Sequence, residues 1–231
     1  MPFRISEARM TANDKQKDIF LNGEGDAWWR RNQDDESDVL DHFDRAILQR
    51  VGTPSSVLEI GSADGRRIAR LVRELPASTR ALGVDPSAEA IASAQAKFPL
   101  IDFAIGTADA IPTEEQFDLV ILGFCLYLCD RNLLPTIVAE TNRVLEDGGQ
   151  LIIIDFDPPH PRKRTFRHRD GVWSYKMDYS TIFTTFPQFS LSYKASMSHS
   201  DAHFSRDEGE RVGVWVLQKE VQYGYSEEND D

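Results

Sequence analysis

Between residues 55 and 156, short runs of apolar and β-branched residues alternate with stretches in which apolar side chains recur every three to four positions. The short runs have the length of buried strands and the periodic stretches that of amphipathic helices, so the segment reads as successive β-α-β units of a parallel sheet. Five strands are expected, at Ser55 to Gly61, Ala81 to Asp85, Ile101 to Gly106, Phe117 to Phe124 and Gln150 to Phe156. In the helix after the first strand, Ile68, Leu71, Val72 and Leu75 share one face, and Arg66, Arg70 and Arg73 the other, which predicts a solvated arginine face. In the helix after the fourth strand, Pro135 requires a start near Asn132, and Gly148-Gly149 is the expected stop. Two alternating runs, Phe189 to Ser198 and Arg211 to Lys219, then read as an antiparallel pair that completes seven strands. Residues 1–50 are expected to form a helical extension or lid. Residues 51–231 are expected to form one α/β domain with helices on both faces of its sheet. Within it, residues 157–188 form a turn-rich insertion of a length that usually serves a site.

Composition narrows the class. A chain of 231 residues with 41% hydrophobic positions buries one sizeable core. Its apolar runs, such as Leu119 to Leu128, are far shorter than the ~20 residues of a membrane helix, and Met1 to Met10 carries acid and base rather than an apolar core, so a soluble cytoplasmic protein is expected. A net charge of −12 disfavours nucleic acid as a partner, because Lys and Arg contacts to phosphate supply most non-specific affinity. Cys125 and Cys129 lack the companions of a zinc site and read as buried reduced thiols. Asp155 and Asp157 are lone carboxylates, and no metal is expected. The acidic tail Glu227 to Asp231 is given no function.

The candidate chemistry begins at Val57 to Gly65, an apolar strand ending in Glu59 and followed by the turn Gly61-Ser62-Ala63-Asp64-Gly65. Such a turn brings backbone close to a ligand and aims helix N–H groups at it. The second strand ends at Asp85-Pro86, where a carboxylate can accept both hydroxyl protons of a ribose in the same crevice. A P-loop would need Gly-Lys-Ser/Thr where Arg66-Arg67 stand, and a dinucleotide fingerprint would need a third glycine. Glu-x-Gly-x-x-x-Gly remains, and taken alone it suits a plain strand-to-helix turn equally well.

Five segments in order resemble the successive motifs of the class I S-adenosylmethionine-dependent methyltransferases. They are Glu59 to Gly65, Gly83-Val84-Asp85, Gly106 to Pro112, Phe117 to Val120 and Glu140 to Gly149. The resemblance covers about residues 55 to 157 and is strongest to the small-molecule, ubiquinone-biosynthesis-type branch. It implies a Rossmann-like, seven-stranded, mostly parallel sheet with an antiparallel final strand pair, and S-adenosylmethionine as cofactor, with S-adenosylhomocysteine as product. It also implies roles. Gly61, Ser62, Ala63 and Gly65 would hold the methionine end, Glu59 would act near its amino group, and Asp85 with Pro86 would bind the ribose. Thr107 and Ala108 fall where the family's adenine-contacting Asp-Ala pair lies; Thr107 replaces that Asp, which leaves the bond to the adenine amino group to Asp109. Gly123 and Phe124 would line the cleft, although Phe124 suits an apolar core equally well. Asp157-Pro158-Pro159 resembles the signature of amino-group methyltransferases but follows the wrong strand.

The expected reaction is therefore methyl transfer from S-adenosylmethionine to a small anionic molecule, with O-methylation favoured. An RNA or protein methyltransferase, or a catalytically inactive cofactor-binding regulatory module, is the alternative. Among the histidines, His168 is the expected general base, because the insertion after the fifth strand lies at the sheet edge where ligands bind. Tyr175, Lys176 and Asp178 are expected substrate contacts, as are Arg164 and Arg167 in the basic run Arg162 to Arg169; a solvated loop paired to nearby acids is the plainer reading of that run. Trp28, Trp29, Arg30 and Arg31 fit either a cap over the cleft or a packing helix.

Overall fold

The computed structural model describes residues 15–33, 38–222 and 224–225, so the first fourteen positions of the expected extension and the acidic tail lie outside it. Helices α1 (Lys15–Ile19) and α2 (Gly25–Arg31) are joined by a distorted turn, and α3 (His42–Leu48) follows. Next come β1 (Ser56–Ile60), α4 (Arg66–Glu74), β2 (Arg80–Asp85), α5 (Ala88–Lys97), β3 (Asp102–Ile105) and β4 (Phe117–Gly123). The rest is α6 (Leu134–Val144), β5 (Leu145–Phe156), β6 (Arg162–Thr165), β7 (Trp173–Lys176), α7 (Ser180–Thr184), β8 (Phe189–Ser198) and β9 (Arg211–Lys219). The main sheet has the order β3-β2-β1-β4-β5-β9-β8. Its first five strands are parallel, and β9 runs antiparallel to both β5 and β8. The seven-stranded α/β expectation and its reversed strand pair are met.

Both faces of the central strands are buried, as a parallel sheet requires. Alternate residues point to opposite faces. Leu58, Val120, Leu122, Leu151, Ile153 and Trp215 build one core layer with α6 and α7, and Val57, Leu119, Ile121, Ile152 and Val214 build the other with α3 and α4. The insertion after β5 folds into the β6–β7 hairpin and α7. Among the described residues, no helix is long and apolar enough to cross a membrane.

Two local expectations are corrected. Helix α6 ends at Val144, short of the glycine pair, because Leu145 already joins the sheet opposite Phe117; Gly148, at φ +82°, turns the chain between the two parts of β5. The arginine face of α4 is not solvated. Helix α3, closed by a capping box between Asp41 and Asp44, packs over it, so Arg70 is buried and donates to Asp44 at 2.6 Å and to Asp41 at 3.3 Å. Arg66 pairs with Asp64, and only Arg73 is exposed.

Candidate active site

A cleft open to solvent lies at the carboxyl ends of β1, β2 and β4. Its floor is the turn after β1. Gly61 has φ +80°, and a Cβ there would stand 2.7 Å from the Gly123 carbonyl oxygen and 2.9 Å from Cys125 Cβ, so only glycine lets this turn lie against the end of β4. Gly123 is needed for a similar reason, since its Cβ would meet the Arg67 guanidinium at 2.6 Å. Ala63 and Phe124 carry positive φ values of 46° and 50°, an uncommon conformation for residues with side chains.

Asp85 ends β2. Its Oδ2 accepts from Ala63 N and its Oδ1 from Ser87 N, each at 2.9 Å, which fixes the carboxylate against the glycine turn while it still lines the cleft. Burial pushes its pKa up to about 6 against the pull of those two N–H groups. Glu59 is deeper. Its oxygens accept from Ile68 N and Arg67 Nη1, both at 3.1 Å, and burial raises its pKa to about 7, opposed by Arg67. Pro86, Thr107 and Ala108 line the same side; the Asp109 carboxylate there is held by Lys17 Nζ at 2.6 Å. Cys125 and Cys129 are part of the lining, and burial raises both thiol pKa values, that of Cys129 to about 12.

The roof is α2. Gly25, Trp28, Trp29 and Asn32 follow helical spacing and face the cleft, whereas Asp26 and Arg30 face α5. Asp26 accepts from Ser87 Oγ at 2.6 Å, and Arg30 pairs with Glu89. Helix α1 ties the roof down elsewhere, through Lys17 to Asp109 and Asp130 and through Gln16 to Trp173 on β7. Two polar atoms that line the cleft, Ser62 Oγ and Trp29 Nε1, are buried without a hydrogen-bond partner among the described residues.

The residues expected to bind cofactor are thus brought to one cleft, except Gly65, which starts α4 at φ +76° instead of lining the cavity. The acceptor-side set is mostly not brought there. Trp29 lines the cleft, but Arg30 turns away to Glu89. Arg167 and His168 sit exposed at the hairpin tip, in a shallow depression with Arg169 and Asp170; the His168 ring packs on Phe166, whose centroid lies 6.4 Å from that of Phe20 in the cleft lining. Tyr175 lies under the Arg131 guanidinium, and Asp178 holds Lys194 and Ser180. Lys176 is buried with its Nζ 3.2 Å from the centroid of Phe156, and burial, helped by Arg164, lowers its pKa to about 8. Asp155 and Asp157 serve the fold: the first accepts from Tyr127 N and the second binds Lys194 and Ser196. Lys17 and Arg67 line the cleft and were not among the expected site residues. Arg67 carried the helix period as a signal, and Lys17 carried none.

Residues 57–149 match the sequence profile of the methyltransferase domain family. The match covers less than half of the chain and is a likeness to methyltransferase domains. The chain is 32% identical over 105 residues to an uncharacterized methyltransferase of Schizosaccharomyces pombe, covering 45% of this chain and 40% of that one. It is 26% identical over 160 residues to the trans-aconitate 2-methyltransferase of Azoarcus sp., covering 68% and 62%. The chain therefore spans less than two thirds of these relatives' length. Its fold is similar to that of the 1,6-didemethyltoxoflavin-N1-methyltransferase of Burkholderia thailandensis, which was crystallised with 1,6-didemethyltoxoflavin and S-adenosylhomocysteine. The TM-score is 0.69 at 17% identity, covering 95% of this chain and 92% of that one.

Proposed function

We propose that this chain is an enzyme that transfers a methyl group from S-adenosylmethionine to a hydroxyl oxygen of a small anionic molecule. The observation that carries the cofactor assignment is the Asp85 carboxylate, fixed by two backbone N–H groups beside a glycine turn, in a cleft that also holds the unpartnered Ser62 hydroxyl and Trp29 indole N–H. A ribose diol supplies donors to that carboxylate. When bound, the cofactor supplies an electrophilic methyl group. The protein then has to bring the accepting oxygen into line with it and exclude water, and α1 and α2 act as the lid that does so.

The anionic acceptor rests on the cations beyond Phe124. Arg67 lies 5.7 Å from the Phe124 ring centroid but is paired to Glu59 and Asp44, so the wall rests on Lys176 and Arg164, like charges that repel each other on the Tyr127 and Phe156 side. Cationic walls concentrate an anion and orient it. Arg164 therefore takes the part that the sequence reading had divided between Arg164 and Arg167.

The test is incubation with methyl-labelled cofactor and extract fractionated by size. Label in the small-molecule fraction is expected. Label in RNA or protein only would overturn the acceptor class, and label nowhere would make the chain a cofactor-binding module.

A further inference from the structure

We propose that His199 is the base that takes the acceptor's hydroxyl proton during transfer, an assignment that rests on the transferase reading above. His199 follows β8. Its ring stacks on Phe156 with an interplanar angle of 16° and packs 5.6 Å from Phe124, the residue that ends the β4 wall of the cleft. The backbone helps to place it, since His199 N donates to the Glu210 carbonyl at 2.8 Å. Neither ring nitrogen has a hydrogen-bond partner among the described residues, so packing orients the imidazole and leaves both nitrogens for a ligand. The residue is also solvent-accessible, which gives a captured proton a way out.

The charged groups that face it are Glu210 ahead of β9, His42 on α3, Lys176 on β7 and Arg67 on α4. Burial against the aromatic rings disfavours the imidazolium, the three cationic or ionisable bases act in the same direction, and Glu210 opposes them; the pKa lies below the ordinary histidine value. A neutral imidazole with free nitrogens is the form a general base needs at neutral pH. The other histidines are placed differently. His42 Nε2 lies 3.1 Å from the Ser198 carbonyl, His203 faces Asp201 in solvent, and His160 and His168, exposed as His199 is, stand on the insertion, His168 against Phe166.

The step balances. The acceptor's O–H proton passes to an imidazole nitrogen, the oxygen's electron pair forms the new bond to the methyl carbon, and the carbon–sulfur bond breaks with its pair left on sulfur. The products are a methyl ether, S-adenosylhomocysteine and an imidazolium that returns its proton to water.

Two measurements test the assignment. The first is a ¹³C-histidine NMR titration of the free protein, with the His199 signal identified by its loss in H199Q; a midpoint below about 6.5 is expected. The second uses the small-molecule fraction that wild type labels. H199Q is expected to transfer about 100-fold more slowly while binding S-adenosylhomocysteine as wild type does, and the acidic limb of the wild-type rate profile is expected to follow the NMR midpoint. H203Q is expected to match wild type. The assignment is overturned if H199Q keeps the wild-type rate and pH profile, if H168Q is the variant that loses activity, or if H199Q also loses S-adenosylhomocysteine binding, which would make the residue structural. A wild type that labels no fraction overturns the transferase reading itself, and the base with it.

Discussion

Asp85→Asn separates a binding carboxylate from a turn-stabilising one, because the two roles move stability and affinity differently. In the folded protein the Asp85 pKa rises from 3.8 to about 6, which corresponds to roughly 3 kcal/mol in favour of the neutral acid. The sign follows from linkage: an acid with a raised folded pKa costs stability as pH rises through 3.8 toward 6, and the cost is fully present above that window. Asparagine removes that cost at pH 8. It also turns one acceptor into an NH₂ that must face Ala63 N or Ser87 N, losing one hydrogen bond and leaving a buried N–H unsatisfied, worth about 1 to 3 kcal/mol. The two effects nearly cancel, so D85N is expected to unfold in urea within about 1 kcal/mol of wild type at pH 8, and to be the less stable protein at pH 4, where wild type no longer carries the penalty. Affinity has no such compensation. Two hydroxyl-to-carboxylate bonds at about 1.5 to 3 kcal/mol each make the expected loss of S-adenosylhomocysteine affinity at least 100-fold by calorimetry. Binding the anionic form also releases protons near pH 6, so the binding enthalpy of wild type is expected to vary with the ionisation enthalpy of the buffer, and that of D85N is not. Unchanged affinity with a stability loss of 2 kcal/mol or more at pH 8 would show that Asp85 merely pins the glycine turn.

Three further outcomes are expected. Gly61→Ala places a Cβ 2.7 Å from the Gly123 carbonyl at a φ of +80°, so S-adenosylhomocysteine binding is expected to disappear in calorimetry, with a stability loss of about 1 to 3 kcal/mol in urea. Lys17→Met removes the 2.6 Å pair to Asp109 that fastens the roof, so S-adenosylhomocysteine is expected to dissociate about tenfold faster in stopped-flow fluorescence of Trp28 and Trp29, whereas an unchanged rate would remove α1 from the lid. Asp44→Asn leaves Arg70 buried beside a neutral amide, so a loss of about 3 to 5 kcal/mol is expected in urea denaturation at pH 7; a loss below 1 kcal/mol would show that Asp41 suffices as its partner.

The sheet was legible because strand formation here follows from local pattern. Val57 and Leu58 on β1, or Ile152 and Ile153 on β5, are buried on opposite faces, and a run apolar at every position has no other stable place than the middle of a two-faced sheet. The glycine turn was legible because Gly61 and Gly65, both at positive φ, carry a backbone requirement that residues with side chains rarely meet. What surrounds α4 was not legible, since burial of Arg70 depends on where α3 docks, and nothing within the helix period of α4 reports on Asp41 and Asp44 more than twenty residues upstream. The same limit hid Lys17, whose partner Asp109 lies 92 positions away.

The histidines show most clearly which part of a site sequence can reach. His168 was favoured for its neighbourhood in the chain, a basic run just past β5; that run forms β6 and the turn before β7, where the His168 ring packs on Phe166. His199 lies between β8 and a polar loop, and nothing beside it in the sequence suggests chemistry. It is brought to Phe124 and Phe156 because β8 pairs with β9 and β9 pairs with β5, so that the end of β8 lies near the end of β5, where Phe156 opposes Val212. The reversed strand pair was read correctly from its alternation, and the register that follows from it carries Ser198 opposite Arg211 and His199 just beyond. Chain reversal at β9 is thus what returns the loop after β8 to the carboxyl edge of the parallel strands. In an open α/β sheet, that is the edge at which ligands bind.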